Sequence, residues 1–332
     1  MKTKVLYVER RAHEFVSIEK AFRQIAACIS DKFETDFQQL PYDRRFTDTI
    51  RNLLFFRKRK ADIYHITGHV HYISLLFSPR NTVLSIMDLR FLYIKPGIRR
   101  FLLKKLYLDL PVKKLDYITA ISEQTKQEIL LHTNCKPEKI RVLDLPLLEH
   151  IYVDQELHFN QEKPRILQIG TMQNKNIPNL AKALNGMTCK LVIIGRLDEG
   201  LLSVLLVNEI DFENRFELDD NEVRKEYQQA DLVAFCSTYE GFGLPIIEAQ
   251  SMRKPIITSN LSPMIETSGG AAVLVDPNDF LDIRKGIKKV ISDIGFRAKL
   301  IEGGLQNIAR FRPQIVATAY EELYEEMLDS MK

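Results

Sequence analysis

The sequence predicts an α/β protein built from two doubly wound domains that face each other across a cleft. Three observations lead there. The chain has 332 residues with 45% hydrophobic content, enough for two domain-sized cores. Short β-branched runs alternate with helical segments in two separate series, the pattern of parallel sheets covered by helices. Between the series, "LLEHIYVDQELHFNQEKP" (147–164) sustains no period and ends in proline.

In the first series "KVLYV" (Lys4 to Val8) predicts a strand and "SIEKAFRQIAACI" the first helix. "ADIYHI", "TVLSIM" and "DYITAIS" follow as further strands separated by helical sequence. "SEQTKQEILLH" predicts a helix with Ser122 as N-cap, and Thr125 stands where a full capping box would have Glu or Gln. The expected organisation is a first domain over 1–150, a linker over 151–164 and a second domain over 165–313. In that second domain "RILQIG", "CKLVIIG" and "ADLVAFCS" are strands ending in glycine or a small residue, and "KPIITSN" and "AAVLVD" continue the alternation. Residues 314–332 carry Ala319, Tyr320, Leu323, Tyr324, Met327 and Leu328 at 3-4 spacing, which predicts an amphipathic terminal helix. Two such domains leave an opening between the carboxyl ends of their sheets, the edge where α/β proteins bind ligands.

Composition narrows the class. No basic stretch followed by an apolar run and a small-residue cleavage site opens the chain, and no run approaches eighteen apolar residues. The expectation is a cytoplasmic protein, neither exported by that route nor threaded through a bilayer. Cys28, Cys135, Cys189 and Cys236 are scattered, with no C-x-x-C pair, which argues against a zinc site or a disulfide framework. The formal charge of +3 hides an asymmetry: residues 1–150 carry 27 Lys+Arg against 17 Asp+Glu, the remainder 20 against 27. Basic residues interleave with aromatic and aliphatic ones in "RFTDTIRNLLFFRKRK" (Arg45 to Lys60) and "RFLYIKPGIRRFLLKK" (Arg90 to Lys105). That pattern suits an anionic membrane surface or a nucleic acid. A solvated charged face with its apolar side in the core accounts for it equally well.

The stretch with the most chemistry is "STYEGFGLPIIEAQ" (Ser237 to Gln250), after the "ADLVAFCS" strand. Gly241 and Gly243 permit close backbone approach, and Pro245 suits the first residue of a helix. The turn should therefore present bare N–H groups at a positive helix end, where phosphate oxygens are favoured. Glu248, expected in the helix's first turn, has lone pairs for both hydroxyls of a ribose, and Glu240 ahead of the turn suits the hydroxyls of a second ring. A nucleotide-sugar fits that order of groups. Simple complementation of the helix dipole would also place acids here.

The whole string resembles the donor-site signature of retaining glycosyltransferases of the GT4 family, which have the GT-B fold of two Rossmann-like domains facing across a cleft. By that resemblance Glu240, Gly241, Phe242, Gly243, Leu244 and Glu248 bind the donor, and the terminal helix crosses back to the N-terminal, acceptor-binding domain. "LQIGTMQNKNIPNLAKAL" is similar to the family's first donor-domain strand and loop. This implies backbone approach to the pyrophosphate at Gly170 and Thr171, with Lys175 and Asn176 beside it. Thr171 replaces a basic residue frequent in the family, so charge neutralisation falls to Lys175 or to Arg196 of "IIGR". "FELDDNEVRKEYQQADLVAFCS" resembles the segment whose backbone near Phe216, Glu217 and Leu218 meets the nucleobase. A glycine usual before "KPI" is here Arg253, implying a turn without a left-handed residue.

The resemblance implies sugar transfer from a nucleotide-sugar to a glycan acceptor, lipid-linked in one version, in polysaccharide or cell-envelope glycan synthesis. Charge growing on the leaving pyrophosphate would be met by N–H groups, the helix end and Lys175, with Glu240 and Asp88 completing the catalytic set. No cofactor and no metal is implied, and no D-x-D stands in a metal-site context. Many relatives place a His-Asp pair after the strand equivalent to "TVLSIM", whereas this chain has Met87 then Asp88. Asp88, His69 or His71 would then supply the polar contact, with Glu9, Arg10 and His13 on the acceptor side. Two alternatives stay open: a nucleotide-sugar epimerase of the same architecture, and a non-catalytic nucleotide-sugar-binding subunit. Nucleic-acid binding fits the glycan-type motifs poorly.

Overall fold

The computed structural model describes residues 2–11, 17–42, 46–94, 97–148 and 159–332. They form two compact units, one of Met1–Pro146 with Arg312–Lys332 and one of Leu147–Phe311.

The first unit holds a six-stranded parallel sheet of β1 (Thr3–Glu9), β2 (Phe33–Gln39), β3 (Ile63–Ile66), β4 (Thr82–Ile86), β5 (Tyr117–Ala120) and β6 (Ile140–Val142), in the order β2-β1-β3-β4-β5-β6. Val5 pairs with Ile63 and Leu84 with Ile118. Every residue of β3 and β4 is buried, as expected of strands covered on both faces. Three buried polar residues of the central strands β3, β4 and β5 form a row. His65, Ser85 and Thr119 come from adjacent strands, and the terminal helix Pro313–Ser330 joins them: His65 Nδ1 lies 2.6 Å from the Tyr324 hydroxyl, which donates to Tyr7. The helix buries Val316, Tyr320, Leu323, Tyr324 and Met327, whereas Ala319 and Leu328 sit half-buried at the margins of that face. The Ser17–Cys28 helix packs beside it, with the Phe22 and Tyr320 rings 5.9 Å apart. Ser122 caps the Glu123–His132 helix by accepting from the Thr125 amide at 3.2 Å.

The second unit repeats the plan. Its strands are β7 (Arg165–Ile169), β8 (Lys190–Ile194), β9 (Phe212–Arg215), β10 (Leu232–Phe235), β11 (Ile256–Ser259) and β12 (Val273–Val275), in the order β12-β11-β10-β7-β8-β9, all parallel. Three of the twelve strands escape the sequence reading: β2, β6 and β9. Each is an edge strand: β2 and β9 are polar-rich, and β6 is only the three residues Ile-Arg-Val, so no apolar run marks them. The turn before "KPI" differs from expectation: Arg253 occupies the left-handed region at φ 56°, so the geometry a glycine would adopt is kept with an arginine.

Of the expected linker, 151–158 lie outside the described residues. Residues 159–164 belong to the second unit. Phe159 lies under the Arg297 guanidinium at 3.8 Å, and the Asn160 amide donates to Asp231 at 2.8 Å. At the two ends of the second unit, the Leu147 amide donates to the Phe311 carbonyl at 2.8 Å. Among the described residues no helix is long and apolar enough to cross a membrane.

Candidate functional site

In the second unit the loops that follow β7, β8, β9 and β10 carry the expected site residues. After β7 the chain turns at Gly170 with φ 84°, and a Cβ there would lie 2.8 Å from Lys175 Cε. Glycine is thus required twice over, for the backbone angle and for the lysine stem that lies across it. The Lys175 ammonium reaches Glu240 Oε1 at 2.7 Å and stands 4.6 Å from the centre of the Phe235 ring. Both side chains are largely covered, at 12% and 13% exposure, so the pair is far less screened than a surface ion pair.

Asn174 holds the same carboxylate from a second direction. It donates to the Tyr239 carbonyl at 2.8 Å and to Glu240 Oε1 at 3.3 Å, while its buried Oδ1 has no partner among the described residues. The sequence reading passed over Asn174. Its only signal is adjacency to Lys175 in "QNKN", because the contact spans 66 residues. Thr171 is held by β8's exit: a Cβ on Gly195, at φ 129°, would meet Thr171 Cγ2 at 2.9 Å.

The helix after the glycine turn runs Leu244–Ser251, with Gly243 as its N-cap at φ 98° and Pro245 second rather than first. Glu248 is therefore the fifth residue, one position deeper than expected and just past the first turn. Its position follows from Tyr227 of the Asp220–Gln229 helix, a fully buried phenol that donates to Glu248 Oε2 at 2.6 Å. Burial pushes the Glu248 carboxyl above the usual carboxylate range, while Tyr227 and the Lys175 charge pull it part of the way back. Among the described residues, Tyr227 is the one hydrogen-bond partner of that carboxylate. Tyr227 is the other residue that sequence reasoning missed, since "KEYQQADL" shows only a helical aromatic.

After β8 and β9, the Arg196 guanidinium lies 4.8 Å over the Phe216 ring and pairs with Glu217, whose backbone is left-handed at φ 57°. Arg196 is 70% exposed and Phe216 remains exposed beneath it, a flat cationic platform at the sheet edge. Leu218 follows, half-buried.

Two of the residues expected to touch a donor serve the scaffold instead. Asn176, left-handed at φ 59°, sends its amide to the Cys236 carbonyl at 3.0 Å and the Pro277 carbonyl at 2.6 Å, stitching three loops together. Phe242 is buried edge-on against Phe311 at 5.7 Å, and its carbonyl accepts from Thr267 at 2.8 Å. Gly241 and Leu244 stay half-exposed at the turn.

In the first unit, Arg10 at the end of β1 is clamped by Glu19, with Nε to Oε1 at 2.6 Å. Glu9 is buried and pairs with Arg23. His13 lies outside the described residues. His71 is fully buried, its Nδ1 2.7 Å from the Tyr107 carbonyl in the π-helical turn Lys105–Asp109, and burial pushes its pKa down to about 4. It is a neutral core residue, which corrects the expectation of a ligand contact. Met87 is likewise buried. His69 is exposed after β3, with Nε2 3.9 Å from Asp88 Oδ2. The other oxygen, Oδ1, accepts from the Arg90 amide at 2.9 Å. A His-Asp neighbour pair thus exists here, assembled from two loops rather than from consecutive residues. Among the described residues, no group of three or more His, Cys, Asp or Glu is placed to hold a metal ion.

Residues 153–307 match the family model described as glycosyl transferases group 1. The O-antigen chain mannosyltransferase RfbU of Salmonella typhimurium is 24% identical over 228 residues, covering 66% of this chain and 63% of the relative. The capsular polysaccharide biosynthesis glycosyltransferase CapM of Staphylococcus aureus is 27% identical over 241 residues, covering 64% and 62%. The chain thus spans a little over three fifths of the length of these two relatives. Among solved structures, HepE of Anabaena in complex with UDP and glucose superposes with a TM-score of 0.77 at 12% identity, covering 98% of this chain and all of the other. The fold is that of the GT-B glycosyltransferases.

Proposed function

We propose that the chain is a group 1 glycosyl transferase, the family whose model its residues 153–307 match, and that it moves a hexose, with retention, from a nucleotide-sugar to a glycan acceptor. The observation that carries this reading is the covered Lys175–Glu240 pair beside the Gly170 turn, with Glu248 fixed nearby by Tyr227. In this reading Gly170 and Thr171 let backbone approach the diphosphate, and Lys175 carries the charge that meets it. Arg196 and Phe216 offer a surface for the base, and the other carboxylate oxygen of Glu248 accepts from the ribose. Glu240, held by Asn174 and Lys175, accepts from hydroxyls of the transferred sugar. Lys175 and the helix start act where negative charge grows as the diphosphate leaves, so their effect is larger at the transition state than in the ground state. No metal is assigned a role, and turnover is expected to persist in a strong chelator.

The setting proposed is polysaccharide or envelope-glycan synthesis, with a lipid-linked acceptor at the cytoplasmic face of an anionic membrane. What supports it is the kind of relative matched, together with the excess of 27 basic over 17 acidic residues in 1–150. His69 and Asp88 are proposed to meet the sugar or its acceptor, standing in for a consecutive His-Asp pair. His69→Asn is expected to lower kcat about tenfold to a hundredfold with little change in nucleotide affinity. An unchanged kcat would remove His69 from the site.

Melting temperatures measured with UDP-, GDP- and ADP-sugars test the reading as a whole, because a ligand held only by the native state raises them. One base should stabilise the chain well above the other two, and glycan formation should follow with that donor alone. A stabilising donor whose sugar is neither transferred nor released would favour a non-catalytic binding subunit.

The Tyr227–Glu248 bond gives a sharper expectation. Tyr227→Phe should weaken nucleotide affinity about tenfold, the scale of a hydrogen bond to a charged group. The phenol favours the ionised carboxylate, so its loss raises the Glu248 pKa further. Affinity in the natural chain should fall as pH drops through a value above the ordinary glutamate range, and in Tyr227→Phe that fall should begin at a higher pH. Calorimetric titrations across pH check both; coincident pH profiles would detach Tyr227 from ligand binding.

A further inference from the structure

We propose that Asn174 is a positioning residue, which keeps Glu240 in place for the sugar once the donor's diphosphate has drawn Lys175 away. This role deepens the proposed donor site and depends on that reading for its purpose. Among the described residues, Glu240 accepts from two side chains, and both reach the same oxygen: Lys175 at 2.7 Å and Asn174 at 3.3 Å. One of these donors is charged and the other is neutral. A diphosphate carries more negative charge than a carboxylate, so it draws the ammonium towards itself and leaves the amide behind. Glu240, only 13% exposed, is then a covered charge without its counterion. Such a group turns out to water unless another donor holds it.

The packing around Asn174 suits it to that task. The residue is buried, its carbonyl accepts from the Thr238 amide at 2.8 Å, and its Nδ2 donates to the Tyr239 carbonyl at 2.8 Å. It is thus tied to the two residues that precede Glu240 and moves with the loop that carries the carboxylate. Lys175 is held differently: its stem lies across Gly170, and only the terminal ammonium has to turn when a donor binds. The Asn174 amide cannot be flipped, because Oδ1 would then face the Tyr239 carbonyl and the Glu240 carboxylate. In the orientation adopted, the buried Oδ1 is left without a partner among the described residues, a cost borne to keep Nδ2 on these two acceptors. The 3.3 Å separation is long for a bond to a carboxylate, as expected where two donors share one oxygen, and it has room to shorten as the lysine withdraws.

The test is a double-mutant cycle: Asn174→Ala in the natural chain and in Glu240→Ala, with UDP-glucose, GDP-mannose and ADP-glucose as donors and release of nucleoside diphosphate as the readout. With whichever donor the natural chain uses, Asn174→Ala should lower kcat about tenfold to a hundredfold, the scale of a hydrogen bond to a charged group. Affinity for the matching nucleoside diphosphate, measured by calorimetry, should hold, because Lys175 stays and a released Glu240 turns to water. In the Glu240→Ala background the same replacement should change kcat by less than about twofold, since Asn174 then has nothing to position. An equal fall in kcat in both backgrounds would overturn the proposal, and so would a loss of diphosphate affinity as large as the loss of kcat. Asn174→Asp covers the case in which alanine disturbs folding. It keeps the size but sets an acceptor against Glu240, so it should lower kcat at least as far, and a natural kcat would overturn the proposal equally. A natural chain that binds and turns over none of the three donors sinks the donor-site reading and this role with it. Normal turnover in Asn174→Ala sinks this role alone.

Discussion

Replacing Lys175 with alanine is expected to lower kcat about a hundredfold to a thousandfold, the range seen when one preorganised charge-stabilising group is removed from a transition state. The ammonium is mostly covered, lies 4.6 Å from the Phe235 ring centre and is held at 2.7 Å by Glu240. A fixed, poorly hydrated cation of that kind needs no reorganisation when charge appears on a leaving diphosphate. Nucleoside diphosphate affinity should fall less than kcat, because the ground state carries less charge at the bond being broken. Glu240→Ala separates the two members of the pair. It removes the anion that neutralises Lys175, so affinity for free nucleoside diphosphate should hold or rise, while turnover falls for want of the contact to the sugar. Glu248→Ala should do the opposite and weaken the nucleotide itself. Equal affinity losses in Glu240→Ala and Glu248→Ala, measured by calorimetry, would refute the division of labour. Gly170→Ala offers a check through geometry: its new Cβ would push on the Lys175 stem at 2.8 Å, so it should resemble Lys175→Ala in kinetics while keeping the charge.

How far the sequence reached depended on where each signal was stored. Strands covered on both faces announce themselves as short apolar runs, and β1, β3, β4, β10 and β11 are of that kind. Edge strands need apolar residues on fewer positions, so "FETDFQQ" and "FENR" look like loops until they pair with β1 and β8. The same division runs through the site. "STYEGFGLPIIEAQ" is contiguous, and its chemistry is legible because glycine turn, helix start and carboxylates follow in order. Tyr227 and Asn174 act on those carboxylates from 21 and 66 residues away, and only the packing of helix on sheet brings them there. His69 and Asp88 show the reverse error. The expected consecutive pair is absent, yet two loops from neighbouring strands restore the proximity at 3.9 Å. Asn176 and Phe242 sit inside the right motifs but face inward, a direction that spacing alone does not encode.

Acidification should unfold the first unit well before carboxylates are fully protonated, and His65 should be the main reason. The imidazole is fully buried between β3 and the terminal helix, with Tyr324 at 2.6 Å on Nδ1 and Ser85 at 2.7 Å on Nε2. Tyr324 gives its proton to Tyr7, so Nδ1 donates to Tyr324 and Nε2 accepts from Ser85, which in turn lies 2.6 Å from Thr119. Each nitrogen is satisfied in the neutral ring, and a second proton would put an unpaired donor and a buried charge into this row of hydroxyls and aromatic rings. Burial accordingly holds the pKa down to about 3 from the ordinary 6.5. The folded chain refuses a proton that the unfolded chain accepts, so stability is complete above pH 6.5 and falls as pH drops from there towards 3. A displacement of that size corresponds to roughly 4–5 kcal/mol. His71, down to about 4, works in the same direction over a narrower window. His65→Gln should therefore be less stable at pH 7.5, having lost a fitted ring, yet its stability should decline less steeply between pH 6.5 and 4, by about one proton's worth of slope. Urea unfolding followed by tyrosine fluorescence at several pH values measures that slope; parallel curves for the two proteins would assign the acid sensitivity to other groups.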